Sequence, residues 1–210
     1  MKVSREQMAK NRDRILEEAG RLFREKGFEA VSVAEVMKAA GLTHGGFYGH
    51  FASKDDLIAQ TLTHGLAPDA GGSADARAGS ADSLRSFLDG YLSCDHRDNA
   101  AAGCLTAALA GDVRRQDPAA RAALAQGFRA QIDRMSDGLQ AFAPDLHPDE
   151  RRQAAIGNWA AMVGAVMLAR VVDDPDFSEE ILASTRSWID RGLELDREAI
   201  SKASDQAPGA

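Results

Sequence analysis

Three side chains within seven residues can hold anionic oxygen: the Tyr48 phenol, the His50 imidazole and the Lys54 ammonium. These are donor types that grip phosphates. Gly45 and Gly46 lie just before them, and a backbone without side chains can approach a surface closely. Thr43 stands where a hydroxyl can cap a short helix and turn its first amides toward an anion. Phe47 and Phe51, four residues apart, are expected to face inward and hold this stretch against a neighbour. Covalent chemistry finds no such constellation. There is no nucleophile elbow, no phosphate loop and no dinucleotide glycine pattern. His44, His50 and His64 do not have the spacing of a metal-ligand pair, so neither a metal nor a cofactor is expected. Asp112, Arg114, Arg115 and Asp117 read as the solvated end of a helix.

The elements that must position these donors follow from periodicity. Residues 5–26 read as a helix with Ile15, Ala19, Leu22 and Phe23 on one stripe, closed by a left-handed cap at Gly27. A second helix opens at Ser32 with Glu35 three residues on, which is capping-box spacing, and stops at Gly41-Leu42. A short third helix spans 43–49, and a fourth is capped by Ser53 with Asp55 and Asp56 in its first turn. Two short helices around Gly41-Leu42 make a helix-turn-helix, whose second helix lies in the major groove with its first residues toward base edges.

Residues 67–81 contain no large apolar side chain and read as a mobile linker. Beyond it, helical spacing returns at 82–92. A polar loop and a short apolar turn over 104–110 follow. Asp117-Pro118 caps the next helix, Pro148 opens another, and Ser178 caps the last. No run of alternating β-branched residues appears, so the class is all-α. The expected domains are a helix-turn-helix domain over 1–65 and a second helical domain over 66–203, with a disordered tail over 204–210. The formal net charge of -7 excludes a basic coat protein, and 44% hydrophobic residues exclude a disordered chain. Residues 1–65 hold 10 Lys and Arg against 9 Asp and Glu, whereas 66–210 hold 15 against 23. A near-neutral head thus precedes an acidic body. The N-terminus shows no secretory signal, and the longest apolar stretch, 160–172, is short of the roughly 20 residues that span a bilayer. A cytoplasmic protein without membrane association is expected.

Gly41-Leu42-Thr43-His44-Gly45-Gly46-Phe47-Tyr48-Gly49-His50-Phe51, followed by Ser53-Lys54-Asp55-Asp56-Leu57, resembles the signature of TetR/AcrR-family transcriptional regulators. Gly27-Phe28-Glu29-Ala30-Val31-Ser32-Val33 and the stripe from Ile15 to Phe23 match the same family. The resemblance covers about residues 10–60; the rest matches in architecture alone. It implies a homodimeric repressor, released from a double-stranded palindromic operator by a small-molecule effector. By position, Tyr48, His50 and Lys54 would bind the operator backbone, Thr43, His44 and Gly45 would meet base edges, and Ser32 would touch phosphate. Gly49 departs from the larger residue common in the family, which removes one possible contact.

The resemblance also implies roles beyond the reading head. The last two helices would pair with their copies through Ile156, Val163, Val166, Ile181, Thr185, Trp188 and Ile189. Pocket lining would come from Phe87, Tyr91, Cys104, Leu105 and Phe128, with Ile132, Met135, Trp159 and Met162, each of which also reads as plain core. Some family members sense electrophiles or oxidants through a cysteine in a Gly-Cys-Leu setting like Gly103-Cys104-Leu105; a small buried apolar residue is the other reading of Cys104. A protein-binding helix-turn-helix and an enzyme remain as competing classes.

Overall fold

The computed structural model describes residues 4–67 and 81–205, with side chains over 4–67 and 82–194. All regular elements among them are helical. They form α1 (Arg5–Ala30), α2 (Val33–Ala39), a 3-10 helix (His44–Gly49) called here the reading helix, and α3 (Lys54–Gly65). After the expected linker, most of which lies outside the described residues, come α4 (Ala81–Tyr91), α5 (Cys94–Asp98), α6 (Leu105–Val113), α7 (Pro118–Phe142), α8 (Pro148–Val171) and α9 (Pro175–Asp205). The expected tail begins inside α9, and 206–210 lie outside the described residues.

The chain divides into two compact units. Met1–Gly72 with Asn99–Arg129 form the first, and Ser73–Asp98 with Ala130–Ala210 form the second. Helix α7 contributes its two halves to different units.

In the first unit, α1 buries Ile15, Leu16, Ala19, Leu22 and Phe23. These meet Val36 and Met37 of α2, Phe47 and Phe51 around the reading helix, and Leu57, Ile58 and Leu62 of α3. Leu105, Leu109 and Val113 of α6 and Leu124 of α7 complete the same core. Gly27 does not form the expected left-handed cap. Its φ of 78° comes with ψ 168°, a region open only to glycine, and the chain then takes one more helical turn. The kink drops Phe28 edge-on against Phe23, with ring centroids 5.1 Å apart. At Gly41, φ 68°, the Gly41 amide donates to Lys38 and the Leu42 amide to Met37. This pair of bonds is a Schellman closure, and it requires the positive φ.

In the second unit, α8 packs along α9. Helix α5, absent from the periodicity, is pinned by polar bonds. Arg170 of α8 donates to the carbonyls of Arg97 and His96, both at 2.9 Å, and Arg97 donates to Ser178 Oγ at 3.0 Å. Ser178 is not the cap of the last helix. Asp174 takes that place, accepting from the Phe177 amide at 3.1 Å, while the Ser178 hydroxyl is buried and donates to the Ala169 carbonyl. By length and composition α8 is apolar enough to cross a membrane. Here Met162, Val166 and Ala169 are buried within the unit and Arg170 is bonded to protein carbonyls.

Candidate nucleic-acid interface

The two caps around the reading helix behave as local rules require. Ser32 Oγ accepts from the Glu35 amide at 3.2 Å and Ser53 Oγ from the Asp56 amide at 3.0 Å. Glu35 itself is bound by Lys26 Nζ at 2.6 Å, and that bond, ahead of lesser help from the Ser32 amide, holds its carboxyl below the usual carboxylate range.

The reading helix departs from expectation. Six residues with three glycines cannot complete two α turns, and the segment winds as a tighter 3-10 helix, its amides reaching back three residues from Gly46 to Thr43 and from His50 to Phe47. Thr43 occupies the cap position without a side-chain cap bond, contrary to the role expected for its hydroxyl, so it remains exposed. Phe47 is the one buried side chain of the helix, 1% exposed, stacked on Phe51 with centroids 5.6 Å apart. Tyr48 leans edge-on against Phe47 at 5.3 Å and is otherwise 73% exposed. A Cβ at Gly45 or Gly49 would meet nothing within 4 Å. His44, Gly45, Tyr48 and Gly49 are exposed, with Lys54 and His50 half-buried nearby in sequence. Burial, with Arg12 second, pushes the His50 imidazole below its ordinary pKa.

Two residues that sequence reasoning missed shape the end of this helix. Arg12 Nη1 donates to the His50 carbonyl at 2.8 Å, and Asp56 Oδ2 accepts from the Ala52 amide at 2.9 Å. Gln60 supplies the larger part of the stabilisation that lowers the Asp56 pKa. The Arg12 role had no signal in the sequence, whereas Asp56 stands at capping-box spacing from Ser53. Arg12 meets a partner 38 residues away, and Asp56 serves a loop amide while sitting in a helix start.

The expected pocket residues are divided between the two units. Cys104, Leu105 and Phe128 lie in the first unit; Phe87, Tyr91, Ile132, Met135, Trp159 and Met162 lie in the second. Leu105 and Phe128 belong to the core of the first unit, with the Leu105 side chain against Gly65, so they are packing residues there. Cys104 stands half-buried at the start of α6 without a side-chain cap bond. Nearby, Arg24 donates to the Ala101 carbonyl at 2.6 Å; burial lowers its pKa and Cys104 acts against that. In the second unit Tyr91 contacts Phe87 at 5.8 Å, Trp159 at 5.3 Å and His96 at 4.5 Å between ring centroids. The indole nitrogen of Trp159 and the amide nitrogen of Gln131 are buried donors without an acceptor among the described residues.

The expected dimer residues also separate. Ile156 and Trp188 are exposed, and Val163, Ile181 and Thr185 are half-buried. Val166 and Ile189 are 0% and 1% exposed, core of their own unit and unavailable to a partner. Each residue advances a helix by about 100°, so Ile189 cannot share the face of Trp188. The exposed stripe on α8 runs instead through Ile156, Met167 and Val171, and Phe177 joins Trp188 on α9. Among the described residues no group of His, Cys, Asp or Glu could hold a metal ion.

A helix-turn-helix whose reading helix has one buried anchor and an exposed phenol is the kind of unit that docks in a DNA major groove. Residues 15–61 match the family described as bacterial regulatory proteins, tetR family, and residues 80–185 match the tetracyclin repressor-like C-terminal domain. The chain belongs to the TetR family. It is 31% identical over 173 residues to an HTH-type transcriptional regulator of Mycobacterium tuberculosis, covering 78% of this chain and 86% of that one. The HTH-type transcriptional regulator AcrR of Shigella flexneri is 39% identical over 57 residues, 27% of this chain and 26% of its own. A TetR-family regulator from Agrobacterium tumefaciens shares the fold with a TM-score of 0.71 at 22% identity, over 88% of this chain and 98% of that one. These similarities do not single out a cysteine sensor.

Proposed function

We propose that the chain is a homodimeric repressor that leaves a palindromic operator when a small molecule binds residues of the 66–203 region. The observation that carries the DNA-reading part is Tyr48, pushed into solvent by a helix whose neighbouring Phe47 is its only buried anchor. Tyr48, His50, Lys54 and Ser32 hold backbone phosphates, while Thr43, His44 and Gly45 face base edges. Burial, with Arg12 second, lowers the His50 pKa in the free protein, and its imidazole meets phosphate as an N–H donor.

The exposed apolar residues of α8 and α9 support the dimer, because soluble chains seldom leave such a row uncovered. The unsatisfied donors of Trp159 and Gln131 support an effector in the second unit, since acceptor groups on a ligand would relieve them. A DNA-binding repressor of this kind acts in the cytoplasm. The test is selection of duplexes from a random library by the full-length protein. Enrichment of a two-fold symmetric sequence, bound with a steep inverse salt dependence, is expected. Failure to enrich any sequence refutes the reading.

A further inference from the structure

Four residues, His50-Phe51-Ala52-Ser53, join the reading helix to α3. Packing alone specifies this helix weakly. It has one buried side chain, three glycines and no side-chain cap at its start, so it could swivel about Phe47. Its far end is held differently. Asp56 takes the Ala52 amide from the α3 side. From α1, Arg12 bonds the His50 carbonyl at 2.8 Å while its guanidinium carbon stands 4.8 Å from the centroid of the Phe51 ring. A planar, permanently charged fork can donate to a carbonyl and stack on an aromatic face at once, which a lysine ammonium does not reproduce.

We propose that Arg12 is a positioning residue for sequence reading: by pinning the His50 carbonyl and the Phe51 ring it sets the orientation in which Tyr48 and His50 meet the duplex. The inference rests on the reading helix being the DNA-contacting element. Arg12 acts through that helix and contributes no phosphate contact of its own. Its charge also reaches the His50 imidazole, after burial the second cause of the lowered pKa. Loss of the charge therefore leaves a mark at His50 that can be read without DNA.

The experiment compares full-length wild type with Arg12→Gln and Arg12→Lys. The probes are a duplex selected by wild type from a random library and a scrambled duplex of the same composition. Binding is followed by fluorescence anisotropy from about 50 to 200 mM salt, melting by calorimetry, and His50 titration by NMR. Both variants are expected to lose about tenfold or more on the selected duplex, the scale of one charge-assisted hydrogen bond. They should lose little on the scrambled one and keep the wild-type salt slope. His50 should titrate higher in Arg12→Gln than in wild type, with Arg12→Lys nearer wild type.

A slope shallower by about one per protomer overturns the proposal, because it marks a direct phosphate contact. Equal losses on both duplexes, in step with lowered melting, also overturn it and reduce Arg12 to a structural bond. So does wild-type affinity in both variants. If Arg12→Gln melts below the assay temperature, the ratio of selected to scrambled binding in Arg12→Lys decides. A wild type that enriches no duplex defeats the DNA-reading assignment itself, and the inference with it.

Discussion

Replacing Tyr48 with phenylalanine removes one oxygen and leaves the ring. The ring keeps its edge-on contact with Phe47 at 5.3 Å. The hydroxyl is on a side chain of a residue 73% exposed and has no hydrogen-bond partner among the described residues. Folding therefore loses nothing, and unfolding stability should stay within about 0.5 kcal/mol of wild type, as for ordinary surface changes. A hydrogen bond to a charged phosphate is worth about 1.5–3 kcal/mol. At about 1.4 kcal/mol per tenfold, one protomer loses at least roughly tenfold in affinity. The two copies in a dimer are far apart and their effects add, so the dimer should lose about a hundredfold or more. The phenol carries no charge and its removal releases no counterion, so the slope of log affinity against log salt should not change. Anisotropy on a wild-type-selected duplex across a salt series, with urea denaturation alongside, makes the measurement. Wild-type affinity in Tyr48→Phe would refute the assignment of the hydroxyl to phosphate. A clear fall in stability would show that the exposed phenol has a structural task the geometry does not reveal.

Three further outcomes follow from the same geometry. Gly41→Ala should cost about 1–2 kcal/mol in urea denaturation, because a Cβ is forced to φ 68°; Gly45→Ala, with negative φ and open space around it, should cost much less, and equal losses would refute the backbone argument. Operator binding should tighten as pH falls from about 7 through the lowered His50 pKa, since a nearby phosphate raises that pKa and binding takes up a proton; a pH profile unchanged in His50→Gln would exclude His50 as the source. The free protein should respond oppositely: folding favours neutral His50, so its contribution to stability is present above the unfolded value near 6.5 and is lost as pH falls through the folded one. Trp188→Asp should convert a dimeric mass in light scattering to a monomeric one with little effect on the melting of the single chain, because the ring is 56% exposed there; a persistent dimer would move the interface elsewhere.

Local signals in the sequence located most helix starts. Ser32 and Ser53 cap as their spacing indicates, and Asp117 accepts from the Ala119 amide ahead of the helix that Pro118 begins. The same logic failed where two candidates competed within one turn. Asp174 displaced Ser178 because the serine hydroxyl found a buried carbonyl and an arginine instead. Thr43 had cap chemistry, yet a 3-10 segment rich in glycine left its hydroxyl without an amide to accept from. Helix α5 escaped because a cysteine and four polar residues carry no periodicity; the bonds from Arg170 come from 73 and 74 residues away.

By itself the sequence determined the all-α class, the turn at Gly41 and the cluster of donors from Thr43 to Lys54, whereas at Gly27 it indicated a helix end and the structure has a kink. The caps and the Gly41 turn depend on residues within about one helical turn of one another, where capping, glycine φ and spacing act directly. Tertiary structure alone decided which face of each apolar stripe turns inward. Val166 and Ile189 became core while Ile156 and Trp188 stayed in solvent, because a single helix cannot tell whether its partner lies in its own chain or in another. It also decided that Arg12, an ordinary-looking charge on α1, reaches across 38 residues to hold the end of the reading helix. Such a pairing arises only when the hydrophobic core brings α1 against that helix, and no spacing in the sequence encodes it.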